Sequence, residues 1–253
     1  MTVGASTAGF AEPETKRPPL LVLCGWGVHA YTATGAVCGL MALVYAAKLD
    51  FRASFIAMAL ATVVDSSDGP MARALEIGTL IPIFDGALLD NIVDYLTYVV
   101  APAFLMLTAG LLPQGLIGSL LAAAVMLSSA YGFCRIDAKT EDHFFLGFPS
   151  YWNLVALYLF CFGLSPSING LIVGGLAILV FVPMKFIYPN RTTRLRALTL
   201  TLGIIWAFAT IALVFELPSP NRALVLLSFS FVIYYLLASL ALQARTIAAS
   251  LRF

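Results

Sequence analysis

The chain has 253 residues, 61% of them hydrophobic and only 11% charged, with a mean hydropathy of +0.95 and a formal charge of +1. A water-soluble domain of this length cannot bury so much apolar side chain and keep a wettable surface, so soluble, disordered, collagen-like and disulfide-scaffold classes are excluded. The near-zero charge leaves no basic footprint for nucleic acid. What remains is an all-α, polytopic membrane protein.

In chain order, residues 1–19 are polar, contain Pro13, Pro18 and Pro19, and read as a disordered tail. One membrane-embedded unit, 20–253, follows. Its first residues, 20–27 (LLVLCGWG), read as a short interfacial helix with Trp26 at headgroup level. Stretches of about 20 mostly apolar residues then mark eight candidate spans. They are 28–47, 52–75, 87–112, 115–136, 149–164, 168–187, 197–215 and 222–242. The core bundle occupies about 28–187 and two further helices about 197–242. Pro113 and Pro166 sit in very short links, so the third and fourth spans, and the fifth and sixth, form hairpins. Gly35/Gly39 and Gly170/Gly174 suit close helix contact. Cys24, Cys38, Cys134 and Cys161 lack metal spacing and read as buried small apolar residues.

Charge sets the orientation. With the N-terminus inside, the inner segments hold Lys16, Arg17, Arg73, Arg135, Lys139, Lys185, Arg191, Arg194, Arg196, Arg245 and Arg252. The outer segments hold only Lys48, Arg52 and Arg222. An even span count then puts both termini in the cytoplasm.

Four carboxylates break the apolar pattern: Asp65 and Asp68 in the second span, Asp90 and Asp94 in the third. Each costs about 2.5–3.5 kcal/mol at mid-bilayer, so none can face lipid. At 100° per residue, Asp65, Asp68, Gly69, Ala72 and Arg73 share an arc of about 140°. Gly86, Asp90 and Asp94 share about 80°. Both stripes lie toward the inner side, where a short connection makes them meet. Four converging acids repel unless cations neutralise them. Oxygen-only donors suit magnesium or manganese, and the lack of His and Cys among them argues against zinc. Arg73 offers a fork for phosphate oxygens, and the small residues let a large ligand reach the backbone. This is the pattern of a two-metal site for a pyrophosphate. On these physics alone, an ion-coupled transporter using the same carboxylates is the rival from a different class.

At these residues the sequence resembles the CDP-alcohol phosphotransferase family. The family signature D-x2-D-G-x2-A-R-x8-G-x3-D-x3-D is met by Asp65, Asp68, Gly69, Ala72, Arg73, Gly86, Asp90 and Asp94. The departure is the interval 74–85, twelve residues where most of the family has eight. A spacer of twelve is similar to the bacterial branch that takes choline. Three segments extend that likeness: Trp26-Gly-Val-His29 with Thr32 and Ala33, Asp137 to Thr140 with His143, and Gly147 to Asn153. Phosphatidylserine synthases share the main signature and are the nearest alternative.

The resemblance implies a bacterial inner-membrane enzyme, multi-pass, with its site toward the cytoplasm. It would join CDP-diacylglycerol to choline, giving phosphatidylcholine and CMP. Choline's hydroxyl would attack the diacylglycerol-side phosphorus. Asp65, Asp68, Asp90 and Asp94 would hold Mn2+ or Mg2+, two per site, with Asp90 and Asp94 catalytic and Asp94 serving as ligand or as base. Gly69, Ala72, Arg73 and Gly86 would take the nucleotide and its phosphates. A quaternary ammonium favours aromatic faces beside a carboxylate, which points to Tyr151, Trp152, Tyr95 and Glu141 for choline. Arg135 and Lys185 are candidates for lipid phosphate. His29 and His143 suit structural roles. A homodimer among membrane lipids is the family's common form.

Overall fold

The computed structural model describes residues 18–137, 144–187 and 196–250. Most of the expected N-terminal tail, and Lys16, Arg17, Lys139, Arg191, Arg194 and Arg252, lie outside them.

Pro19 opens α1 (Pro19–Ala47), where a missing N–H costs nothing. α1 runs unbroken for 29 residues, so 20–27 belong to the first long helix rather than to a separate interfacial one. No proline interrupts that stretch, and Gly25 lets α1 close on Ile81, whose Cδ1 would stand 2.8 Å from an added Cβ. Asp50 caps α2 (Phe51–Ala74) by accepting from the Ala53 amide at 3.0 Å. The Ser54 hydroxyl donates to the Ala42 carbonyl at 2.8 Å, fastening α2 to α1.

The twelve-residue spacer holds a single turn, α3 (Ile77–Leu80), and then the Pro82 bend. α4 (Gly86–Asp94) starts at Asp85, which accepts from the Leu88 amide at 2.9 Å. α4 continues through a π-helical turn (Tyr95–Val100) into α5 (Ala101–Thr108), forming one rod over Gly86–Thr108. Pro102 accounts for the wide turn. It has no N–H, and its ring crowds the carbonyl four residues back, so the Ala101 amide reaches five residues back to Leu96 instead. Gly35 and Gly39 set α1 against this rod. A Cβ on Gly35 would stand 2.6 Å from Val93 Cγ1, and one on Gly39 2.8 Å from Leu96.

The remaining helices are α6 (Leu116–Cys134), α7 (Trp152–Phe162), α8 (Pro166–Leu179), α9 (Arg196–Glu216) and α10 (Arg222–Ser250). Gly170 packs on α6, where an added Cβ would meet Leu121 at 3.0 Å. The sixth expected span, 168–187, stops early. Its helix ends at Leu179, and Lys185–Ile187 form β2, antiparallel to β1 (Phe144–Leu146). Pro183 forbids a helical continuation. Gly147, at φ +83°, lets the chain turn against the Val180 carbonyl, which a Cβ there would strike. The fifth span likewise opens at Trp152 rather than 149.

Among the described residues, five helices are long and apolar enough to cross a membrane: Pro19–Ala47, Gly86–Thr108, Leu116–Cys134, Ala197–Glu216 and Arg222–Ala241. α2 has the length but carries Arg52, Asp65, Asp68 and Arg73. α7 and α8, with 11 and 14 residues, are shorter than a bilayer core of about 30 Å needs at 1.5 Å per residue. Of the eight expected spans, five coincide with these long helices, α2 is as long but charged, and α7 and α8 are short. Val99, Leu105, Met106, Trp152 and Leu213 are fully buried at the centre. Leu127, Leu171 and Phe208 project outward, as an exterior facing hydrocarbon requires. α9 docks through Trp206, whose indole N–H donates to the Tyr158 hydroxyl at 3.0 Å. The four cysteines are unpaired, and two of them, Cys24 and Cys134, are exposed rather than buried. A small thiol is apolar enough to face lipid.

Candidate active site

The cap at Asp50 fixes where α2 begins, and the cap at Asp85 fixes where α4 begins. Between them they set which residues of the two helices face each other. Asp65 and Asp68 on α2 and Asp90 on α4 each offer an oxygen, and the three lie within 4.8 Å of one another. Asp68 is buried at 5% exposure, and the other two are half-buried. At an effective dielectric of about 20, each such pair of charges repels by about 3.5 kcal/mol. Burial of Asp68 reduces the water that would screen them. A hard divalent cation answers both problems, and an all-oxygen donor set fits magnesium or manganese. Asp94 is half-buried one turn further along, outside the group of three.

Asp68 and Asp90 stand at the wall of a cleft of about 880 Å³. Gly69, Ala72 and Arg73 from α2 and Gly86 from α4 line the same cleft. Arg73 is exposed and folds back along its own helix, its Nη1 3.2 Å from where a Gly69 Cβ would stand. At Gly86 a Cβ would come 2.7 Å from His29 Cε1, so only glycine lets α1 and α4 meet here without displacing that ring.

The residues expected around choline and lipid phosphate scatter. Tyr95 turns to α6: its hydroxyl donates to the Met126 carbonyl at 2.9 Å and its ring meets Phe133 edge-on. Trp152 is completely buried, its indole N–H donating to Ser129 Oγ at 2.7 Å. That leaves no ring face for a soluble cation. Tyr151 precedes α7, with its ring 6.4 Å from that of Tyr98. Arg135 forms a two-pronged ion pair with Asp137, both contacts 2.8 Å. The hydrogen bonds to Asp137 raise the Arg135 pKa, and the same bonds hold the Asp137 carboxyl below its ordinary value. Lys185 is half-buried in β2, opposite Leu146. Glu141, with Asp142 and His143, lies outside the described residues.

Two residues gain a place that the motif reading did not give them. His29 lines the cleft between Trp26 and Phe84, and its buried Nε2 has no hydrogen-bond partner among the described residues. The fragment Trp26 to His29 was the sequence signal for it. Tyr98 donates its hydroxyl to Asp65 Oδ2 at 2.6 Å. Its signal is indirect, because it depends on the π turn before Pro102.

An α-helical membrane protein with three clustered acids, two of them at the wall of a cleft, is the class that fold and site define. No family model matches the chain. Curated relatives do. It is 36% identical to a phosphatidylcholine synthase of Legionella pneumophila over 233 residues, 88% of this chain and 91% of the relative. It is 42% identical to one of Legionella bozemanae, covering 81% and 97%, and 33% identical to one of Borreliella burgdorferi, covering 89% and 97%. The chain belongs to the phosphatidylcholine synthase family.

Proposed function

We propose that this protein condenses CDP-diacylglycerol with choline to give phosphatidylcholine and CMP, as an integral enzyme of a bacterial inner membrane. The observation that carries the reading is the Asp65–Asp68–Asp90 group, which meets the cleft wall through Asp68 and Asp90, in a chain of this family. The choline oxygen forms a bond to the diacylglycerol-side phosphorus as the bond to CMP breaks. Asp94, one turn from Asp90, takes the hydroxyl proton on a carboxylate oxygen. Arg73 pairs with phosphate oxygens at the mouth of the cleft. Gly69, Ala72 and Gly86 keep the walls thin enough for a nucleotide diphosphate to lie against backbone. Asp65, Asp68 and Asp90 would hold two divalent cations, Mn2+ or Mg2+, which supply charge neutralisation on the phosphates.

In this reading α2, α7 and α8 join the five long helices as eight spans. Both termini lie in the cytoplasm, and the cleft opens on that side with Arg73, Arg135 and Lys185. The test supplies the purified protein with CDP-diacylglycerol, Mn2+ and radiolabelled choline. Label passing into chloroform-soluble lipid, with CMP released in equal amount, is the expected result. Incorporation of serine in place of choline would move the chain to another branch of the chemistry. Label crossing sealed vesicles without lipid formation would make it a transporter.

A further inference from the structure

Two tyrosines of the π turn, Tyr95 and Tyr98, carry hydroxyls with opposite destinations. Tyr95 reaches out to a main-chain carbonyl of α6. Tyr98 reaches across to α2, where its hydroxyl donates to Asp65 Oδ2 at 2.6 Å. That length is in the range of a charge-assisted O–H···O⁻ bond. The turn explains why Tyr98 gets there. Hydrogen bonds to the fifth residue back make a wider turn that rotates less per residue than the 100° of an α-helix. Tyr98 therefore stands more nearly in line with Asp90 and Asp94 than four α-helical residues would place it. Pro102 enforces that turn. The ring of Tyr98 is itself held by the apolar core and by Tyr151.

We propose that Tyr98 is a positioning residue of the carboxylate centre, its hydroxyl fixing Asp65 in the rotamer that brings it to Asp68 and Asp90. This rests on the metal reading above. A carboxylate accepting one hydrogen bond keeps three lone pairs for a cation, so Tyr98 orients Asp65 without competing for the ion. It also ties the centre to the α4–α5 rod, since the residue holding Asp65 comes from the same helix that presents Asp90. Outer partners of this kind set metal affinity by about 10–100-fold.

The test uses the full chain in detergent and reads Mn2+ binding directly, from the electron paramagnetic resonance signal of free Mn2+, with thermal melting alongside. Tyr98→Phe keeps the ring and removes only the hydroxyl. Its dissociation constant for Mn2+ should rise about 10–100-fold, with the melting temperature in saturating Mn2+ returning toward wild type. Tyr95→Phe loses an equivalent hydrogen bond from the same turn and should bind Mn2+ within about twofold of wild type. Where Tyr98→Phe does not yield folded protein, Tyr98→Met carries the same readout. A hydroxyl-free variant that binds Mn2+ as tightly as wild type overturns the positioning role and leaves the metal centre standing. Wild type that binds no Mn2+, or Asp65→Asn that binds as well as wild type, overturns the metal reading itself.

Discussion

Asp90→Asn should make the protein inactive and, without metal, more stable. Asp90 takes part in two of the three close carboxylate pairs, each within 4.8 Å. At an effective dielectric of about 20, one such pair repels by about 3.5 kcal/mol. Asparagine keeps the shape and removes the charge. Water at the half-exposed Asp65 and Asp90 screens part of this repulsion in the wild-type protein, so the net gain is about 1–3 kcal/mol. At about 2–4 °C per kcal/mol for a chain of this size, the rise in melting temperature is several degrees. The assay is thermal melting in EDTA and again in Mn2+, beside turnover. Wild type should melt lower in EDTA than Asp90→Asn and gain strongly from Mn2+. The variant should gain little from Mn2+ and lose more than about a hundredfold in turnover. A variant that melts below wild type in EDTA, or that is still stabilised by Mn2+, would refute the reasoning, because the acids would then be held by something other than a shared cation.

Other substitutions test the packing and the Arg135–Asp137 pair. Gly39→Val places a side chain 2.8 Å from Leu96 and should cost about 1–3 kcal/mol by forcing α1 off the rod. Gly78→Ala meets nothing within 4 Å and should leave the melting temperature within about a degree. Trp152→Phe leaves the buried Ser129 hydroxyl without its donor and should cost about 1–3 kcal/mol, with turnover per folded molecule nearly unchanged. The Asp137 carboxyl lies below its ordinary value of 3.8 because Arg135 bonds to it. Stability from that pair is therefore complete above pH 3.8 and lost as pH falls through the lower folded value. The melting difference between wild type and Asp137→Asn should shrink over that acid range, and a difference that grows instead would contradict the pairing.

Much of the site was legible in the sequence because helical periodicity is a strict ruler. A spacing of three between Asp65 and Asp68, and of four between Gly86 and Asp90, puts each set on one face. The short link then leaves those faces little choice but to meet. Asp94 shows where the ruler slips, since the stripe extends to it while the close group stops at Asp90. Tyr98 was out of reach for a related reason. Its alignment comes from a π turn, and Pro102, the cause, lies four residues further on. Aromatic residues near helix ends were ambiguous for a different cause. An interfacial belt, a ligand cage and a core anchor use the same side chains, and only burial distinguishes Trp152, fully enclosed, from Tyr151, half-buried against Tyr98. Helix ends slipped where hydropathy continued but hydrogen bonding could not. Residues after Leu179 stay apolar, yet Pro183 and Gly147 turn the chain into a strand pair.

The account depends on a divalent cation held between α2 and α4. Anomalous diffraction from crystals soaked in Mn2+ measures this most directly. The expected result is manganese density bonded to oxygens of Asp65, Asp68 and Asp90, at about 2.0–2.2 Å. Density confined to other sites, with these three carboxylates unchanged by the soak, would contradict it.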